Sequence, residues 1–444
     1  MPDHRRTRTA LAVAAAGTLL GVTACNGEDP FDESDGAELL VAAVWTGAEQ
    51  QNFEEVLSMF EDETGHSVSY DDTGEDMAAY LGPRLEADEA PDVAILPQPG
   101  LLNEYAEQEA LQPLADEVLT EVDENYVDYW RELGSVDGDT YGVMLKAAHK
   151  SLVWYRAEAF EAAGVEAPAT YDELVEDVAP ALSDAGETPF AMCGSDGWTL
   201  TDWFENVYLS QAGPETYDQL LEREISWTDD SVVEALETLG EIWDDEALVH
   251  GGTDGAVGTG FPECVTDVYG TEDAAMVSGA DFVAAPVQEA GATVGEEALA
   301  FPFPAVGDEE PVMLGGDIAV AMTEEEAAQE LLAFLATPEA GTAWAEQGGF
   351  LSPNDNVDID AYPDEFTQSL AESIQEAGDD VRYDLSDQLP SGFGATEGSG
   401  MWATLQDFLR DPSDAEAIAA ELEDDAAAAQ DDGDEDDEDD EDDE

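Results

Sequence analysis

Residues 38–44, Glu38-Leu39-Leu40-Val41-Ala42-Ala43-Val44, form a short apolar run read as a buried strand, and the helices and strands after it decide the fold. A helix is expected over Glu49 to Glu63, because Phe53, Val56, Leu57 and Phe60 fall on one face, with Gly65 as its C-terminal cap. His66 to Tyr70 alternates as a second strand, and Glu75 to Ala87 is a second helix. Pro91-Asp92-Val93-Ala94-Ile95-Leu96 is a third strand, and Leu101 to Glu109 a third helix. Strands alternating with helices at this spacing predict an α/β fold, a parallel sheet with helices on both faces. Ligands of such sheets bind beyond the carboxyl ends of the strands. The segments there are Trp45-Thr46-Gly47, Asp72-Thr73-Gly74 and Pro97-Gln98-Pro99-Gly100, with no phosphate-cradling glycine fingerprint or Walker sequence.

A second α/β-like region is expected after Ser151-Leu152-Val153-Trp154-Tyr155. Thr170-Tyr171-Asp172-Glu173 and Thr323-Glu324-Glu325-Glu326 both fit the capping box that opens a helix. Val232 to Leu248 reads as an amphipathic helix, and Val312 to Met322 as a late strand interrupted by Gly315-Gly316-Asp317. Gly251 to Gly260 lacks the Lys-Ser/Thr ending of a phosphate loop and is read as a flexible loop that precedes no helix. Residues 426–444 are expected to be a disordered acidic tail.

The chain has 444 residues, with 109 Asp+Glu against 11 Lys+Arg and a formal net charge of -98. Hydrophobic residues at 43% give it the means to build a core, so it is not a disordered acidic polymer. The acidic bias extends well beyond the tail and belongs to the folded body. Such a surface repels nucleic acid and anionic lipid headgroups. Its self-repulsion is relieved where the Debye length falls to roughly 3 Å, at 1 M salt, so a halophilic setting is expected.

Arg5, Arg6 and Arg8 precede an apolar stretch, Leu11 to Val22, too short to span a bilayer. It ends in Val22-Thr23-Ala24-Cys25, which resembles the lipobox of bacterial lipoproteins. That resemblance implies a signal peptide over residues 1–24, lipid on Cys25 and a tether over residues 25–37. The product would be anchored at the extracellular face of the cell membrane. Cys193 and Cys264 remain, and outside the cell they are expected to pair as a disulfide. Metal ligation is the alternative for them, but His4, His66, His149 and His250 are scattered and no metal motif is seen.

Only two lysines exist, Lys146 and Lys150. Each could donate hydrogen bonds to a polar ligand or anchor salt bridges within an acidic body. Trp45 follows a predicted strand, and Trp198 and Trp203 lie in the polar stretch Ser195-Asp196-Gly197-Trp198-Thr199-Leu200-Thr201-Asp202-Trp203. Indoles beside carboxylates suit a carbohydrate site, with an apolar floor and a few placed polar groups, although burial in the core would equally place an indole. Trp154, Trp227 and Trp243, at strand or helix spacing, are read as core. Carboxylates such as Glu49, Asp202 and Asp317 could suggest a glycosidase, but among 109 acidic residues a pair carries no weight. There is no Gly-x-Ser-x-Gly and no positive case for an enzyme.

The body resembles the extracellular solute-binding proteins of ABC importers, the sugar-binding family that includes maltose-binding protein, and within it the alpha-glucoside branch. The resemblance is carried by Trp45-Thr46-Gly47-Ala48-Glu49 with Phe53, residues 91–100, Tyr141-Gly142-Val143 with Lys146, and Lys150-Ser151-Leu152-Val153-Trp154-Tyr155. It continues in Ala167 to Leu174, Gly197-Trp198 to Asp202-Trp203, Ala274-Ala275-Met276-Val277, Gly315-Gly316-Asp317 and Met401-Trp402. It implies two α/β lobes, residues 38–150 with 312–348 and residues 151–311 with 349–425, hinged around a central cleft. Cleft roles then fall to Trp45, Glu49, Thr73, Gln98, Lys146, Trp198, Asp202, Trp203, Gly316 and Asp317. The resemblance also supports the Cys193–Cys264 disulfide, and implies an oligosaccharide ligand, a permease partner, a monomer and no cofactor. Met144 stands where family members commonly carry Pro, and the acidic tail is not a family feature. Alternatives are a receptor for a peptide, polyamine or metal on the same fold, or a secreted carbohydrate-active enzyme.

Overall fold

The run at residues 38–44 forms β1 (Glu38–Ala43) in the computed structural model, which describes residues 36–74, 77–87, 89–307, 312–377 and 381–439. The expected signal peptide, Cys25 and nearly all of the tether lie outside the described residues. The remaining strands are β2 (Ser67–Asp72), β3 (Val93–Leu96), β4 (Ser135–Val136), β5 (Asp139–Thr140), β6 (Gly142–His149) and β7 (Leu152–Arg156). They are succeeded by β8 (Phe190–Ala191), β9 (Met276–Ser278), β10 (Ala298–Pro302), β11 (Met313–Ala321) and β12 (Arg382–Tyr383).

The first predicted helix spans Gly47–Thr64 and buries Phe53, Val56, Leu57 and Phe60. Gly65 ends it at φ 79°, where the absence of a Cβ removes the steric penalty, and its amide donates to the carbonyl of Glu61. In the first sheet β2, β1 and β3 run parallel, as the alternating pattern predicts. The sheet is nevertheless mixed: β11 lies antiparallel to β3 on one edge and to β6 on the other, and β12 pairs with its first residues. The second sheet has the order β10-β7-β9-β8 and is mainly antiparallel, with only β8 and β9 parallel. Two crossings join the sheets, one through Lys150 and Ser151 between β6 and β7, the other between β10 and β11. They are bonded to each other: Lys150 N donates to Met313 O at 2.9 Å, and Met313 N to Ser151 Oγ at 2.8 Å.

The buried residues form two packed interiors, of which the first covers the first sheet and also takes in Leu152, Trp154, Ala191, Val277 and Ala298 of the second sheet. Leu39, Val41, Phe53, Phe60, Leu96 and Val320 are among the buried residues of the first interior. Phe190, Trp203, Phe204, Trp227, Trp243 and Phe408 are among those of the second interior. Trp154, Trp227 and Trp243 are fully buried, as their spacing predicts. No helix among the described residues is long and apolar enough to cross a membrane.

Several local expectations are corrected. Thr170 does cap its helix, accepting from Glu173 N at 3.2 Å, but the later helix starts only at Glu326, and Thr323 instead donates to Asp92 Oδ1 at 3.0 Å. The glycine-rich stretch holds the short helix Gly252–Ala256 and leads directly into the helix Phe261–Tyr269. Pro262 sits in the first turn there, where its missing amide hydrogen costs nothing, and Asp196 Oδ2 accepts from Phe261 N at 2.5 Å. The tail expected to be disordered is instead helical as far as Asp439, in the helix Ala415–Asp439. The alanines at residues 426–429 favour that conformation. Cys193 and Cys264 meet in the interior, yet as free thiols joined by a hydrogen bond and not as the expected disulfide. Burial, with that contact added, pushes the Cys193 thiol well above its ordinary range.

Candidate functional site

Because β1, β2 and β3 are parallel, their carboxyl ends share one rim of the first sheet. Trp45 and Glu49 follow β1, Thr73 follows β2 and Gln98 follows β3. β6 and β11 add Lys146 and Asp317, which stand opposite each other in the antiparallel register. The ladder slips just beyond, between Asp317 and Ile318. Gly316 is there because backbone passes too close for anything larger: a Cβ would lie 2.2 Å from the carbonyl oxygen of Lys146. Tyr383 holds this turn of the strand by donating to Gly316 O at 2.7 Å.

Lys146 is the centre of the group. It is 3% exposed, and its ammonium donates to Glu49 Oε1. Its Nζ lies 5.7 Å from the ring centroid of Trp45 and 5.6 Å from that of Phe282, within the range of cation–π attraction. Burial opposes the charge, but Glu49, Asp317 and Asp281 outweigh it and raise the Lys146 pKa. Burial raises Asp317 to about 6 against the pull of Lys146 and a hydrogen bond from the side chain of Trp45. Asp281 is raised to about 6 for the same first reason, opposed by Lys146 and by His149 N, which donates to its Oδ1 at 2.7 Å. The set holds one fixed cation among three carboxylates, two of them raised to about 6 by burial. It can both accept and donate hydrogen bonds, which is what polyhydroxylated solutes require.

An aromatic set adjoins it. Phe282 bridges the two, lying 5.9 Å from Trp198, which in turn lies 5.2 Å from Phe261. Trp198, Phe261 and Phe282 are only partly buried, whereas Trp45 is packed edge-on against Phe53 and Trp344 and is 4% exposed. Trp198 opens the helix Trp198–Ala212, and Gly197 just before it lies against the ring of Trp402.

The structure thus joins Trp45, Glu49, Lys146, Gly316 and Asp317, and brings Trp198 to them through Phe282. Thr73 and Gln98 lie on the same rim, but Thr73 Oγ1 donates to Gly74 O at 2.9 Å and Gln98 is the N-cap residue of the helix Pro99–Glu107. Asp202 and Trp203 belong elsewhere. Trp203 is 3% exposed and packs edge-on against Phe190 and Phe303 in the second interior. The reason is that the helix Trp198–Ala212 is buried on every side from Thr199 to Ser210, so its polar residues are internal partners, not a solvent face. Asp202 lies 3.3 Å from Lys150, which also donates to Asp384 Oδ2 at 2.5 Å and Asp387 Oδ2 at 3.1 Å.

That second cluster explains why Lys150 is kept. Glu205 adds a fourth carboxylate, accepting from Leu385 N, Ser386 N and the hydroxyl of Tyr217. Burial pushes Asp202 and Glu205 well above the ordinary carboxylate range. It pushes Asp384 up as well, but there Lys150 and hydrogen bonds from Asp387 N and Ser386 prevail and hold the carboxyl below its usual value. Lys150 is therefore structural, tying the crossing between the sheets to the segment around residues 384–387. Sequence reasoning missed Asp281, Phe282 and Phe261. Asp281-Phe282, next to the matched segment at residues 274–277, was the available signal.

A family model described as bacterial extracellular solute-binding protein matches residues 42–342. An "Osmoprotective compounds-binding protein GgtB" of Synechocystis sp. is 33% identical over 88% of this chain and 93% of its own length. An "Alpha-glucosides-binding periplasmic protein AglE" of Rhizobium meliloti is 32% identical over 86% of each chain. The crystal structure of the bacterial solute receptor AcbH has the same fold, with a TM-score of 0.76, 19% identity, and coverage of 88% of this chain and 99% of its own. These matches agree with a two-lobe α/β fold. The chain belongs to the bacterial extracellular solute-binding proteins, which are binding proteins of ABC transporters and not enzymes.

Proposed function

We propose that this protein captures an alpha-glucoside in a cleft where the Lys146 set adjoins the Trp198–Phe282 set, and delivers it to a membrane permease. The observation that carries the reading is the junction itself: Phe282 lies 5.6 Å from Lys146 Nζ on one side and 5.9 Å from Trp198 on the other. Aromatic faces suit the C–H faces of a sugar ring, and Glu49, Lys146, Asp281 and Asp317 suit its hydroxyls. The alpha-glucoside-binding relative supports the choice of sugar. The lobes would comprise residues 38–150 with 312–348 and residues 151–311 with 349–425, closing by a hinge at the crossings near Lys150 and Ser151. Cys25 would carry the lipid that holds a monomer at the outer face of the membrane.

A second reading rests on the osmoprotectant-binding relative and the net charge of -98: the ligand would be a glucoside that also serves as a compatible solute. Titration calorimetry in molar salt against maltose, trehalose, sucrose, longer glucans and glycine betaine tests both. Heat with trehalose or sucrose but not longer glucans favours the second reading. Folded protein that gives no heat with any sugar overturns both.

A further inference from the structure

Away from this site, three side chains that can ligate a metal converge on one another. His250, Asp267 and Asp273 each present a donor atom, and these atoms lie within 4.8 Å of one another. They come from two segments that the fold brings together and holds. His250 N donates to Phe190 O at 2.8 Å, which fixes the His250 backbone beside β8. Asp267 lies in the helix Phe261–Tyr269, and its carbonyl accepts from Asp273 N at 2.8 Å and Ala274 N at 3.2 Å, folding the turn back so that both carboxylates face one place.

The partners that these three side chains lack are equally informative. Among the described residues none of the three makes a side-chain hydrogen bond, and the His250–Asp267 approach is a loose 4.0 Å. Among the described residues neither carboxylate is paired with a lysine or arginine, and Arg156, which reaches Ala274 O, is paired with Glu187, so two carboxylates and an imidazole leave a negative, donor-rich gap. We propose that His250, Asp267 and Asp273 form a binding site for a first-row divalent cation such as Zn2+. One nitrogen and two oxygen donors suit Zn2+ or Mn2+ and leave coordination positions for water. Metal–ligand bonds of about 2.0–2.2 Å require the donors to close somewhat further, which exposed Asp273 and half-exposed His250 are free to do. The ion would clamp the end of the helix Phe261–Tyr269 to the segment beside β8. The histidines are scattered in the sequence, so no spacing motif announces this site.

The test uses the chelator-stripped full chain in molar NaCl with excess Mg2+, which occupies weak carboxylate sites. Zn2+ is titrated by calorimetry, and Co2+ is followed by its visible absorption. The expected result is one equivalent of Zn2+ bound, a raised melting temperature, and affinity lowered about tenfold or more in His250→Gln and in Asp273→Asn. Circular dichroism verifies that each variant is folded, and exposed Asp273 provides a second variant if His250→Gln misfolds. No Zn2+ binding, or binding left unchanged in either folded variant, overturns the proposal.

Discussion

Asp317→Asn should change how stability depends on pH. Asp281 and Asp317 are each raised by burial to about 6, against 3.8 for the ordinary carboxyl. Between those values the folded chain holds a proton that the unfolded chain has released. Stability is therefore greatest on the acid side of the window and falls as pH rises through about 6. A shift of about two pH units corresponds to about 3 kcal/mol over the whole window. Between pH 5 and pH 7.5, roughly 1 kcal/mol of it is lost for each carboxyl. Asn keeps an acceptor for the side chain of Trp45 but cannot ionise, so D317N should lose one such share of the slope and Asp281 should retain the other. Asp387, raised to about 7 by burial and by Asp384, acts in the same direction, so the difference between the two proteins is diagnostic and the absolute slope is not. Denaturant melts followed by tryptophan fluorescence at pH 5, 6 and 7.5, in molar salt to screen the surface, would measure it. Parallel stability–pH curves for D317N and the native chain would refute the assignment of a buried, high-pKa carboxyl at Asp317.

Four further outcomes rest on the packing and charge pairing. Trp198→Ala should weaken sugar binding by about 2 kcal/mol, whereas Trp203→Ala should cost about 3–5 kcal/mol of stability through a cavity in the second interior; calorimetry and thermal melts separate the two. Lys150→Met leaves charged Asp384 unpaired and should destabilise the chain by about 3–5 kcal/mol, read by denaturant unfolding. Gly316→Ala puts a methyl group 2.2 Å from the Lys146 carbonyl oxygen; forcing β6 and β11 apart should cost about 1–3 kcal/mol and be seen as a lower melting temperature.

Periodicity alone reveals the first three strands, their helices and the Gly65 cap, because each is a local pattern with its own partner face. The rim at the ends of β1, β2 and β3 follows from parallel order, which puts Trp45, Thr73 and Gln98 along it. Lys146 stood out by rarity, and Glu49 and Asp317 by resemblance. The sequence did not reveal that β11 returns antiparallel between β3 and β6, since a strand does not encode which distant edge it will join. It was misleading at Trp203 and Asp202, where a polar-looking stretch becomes a helix buried on every side.

From its sequence alone this protein has its strand–helix alternation, its acidic body and the rare residues that the candidate site gathers. Only the tertiary structure decided which of those residues meet. Lys146 and Lys150 are four positions apart and alike in chemistry, yet one reaches the Glu49–Asp317 group and the other enters the Asp384–Asp387 cluster. The choice was made by partners arriving from far along the chain. Desolvation then set the charges, because a carboxylate's pKa depends on its surroundings in space and not on its neighbours in sequence.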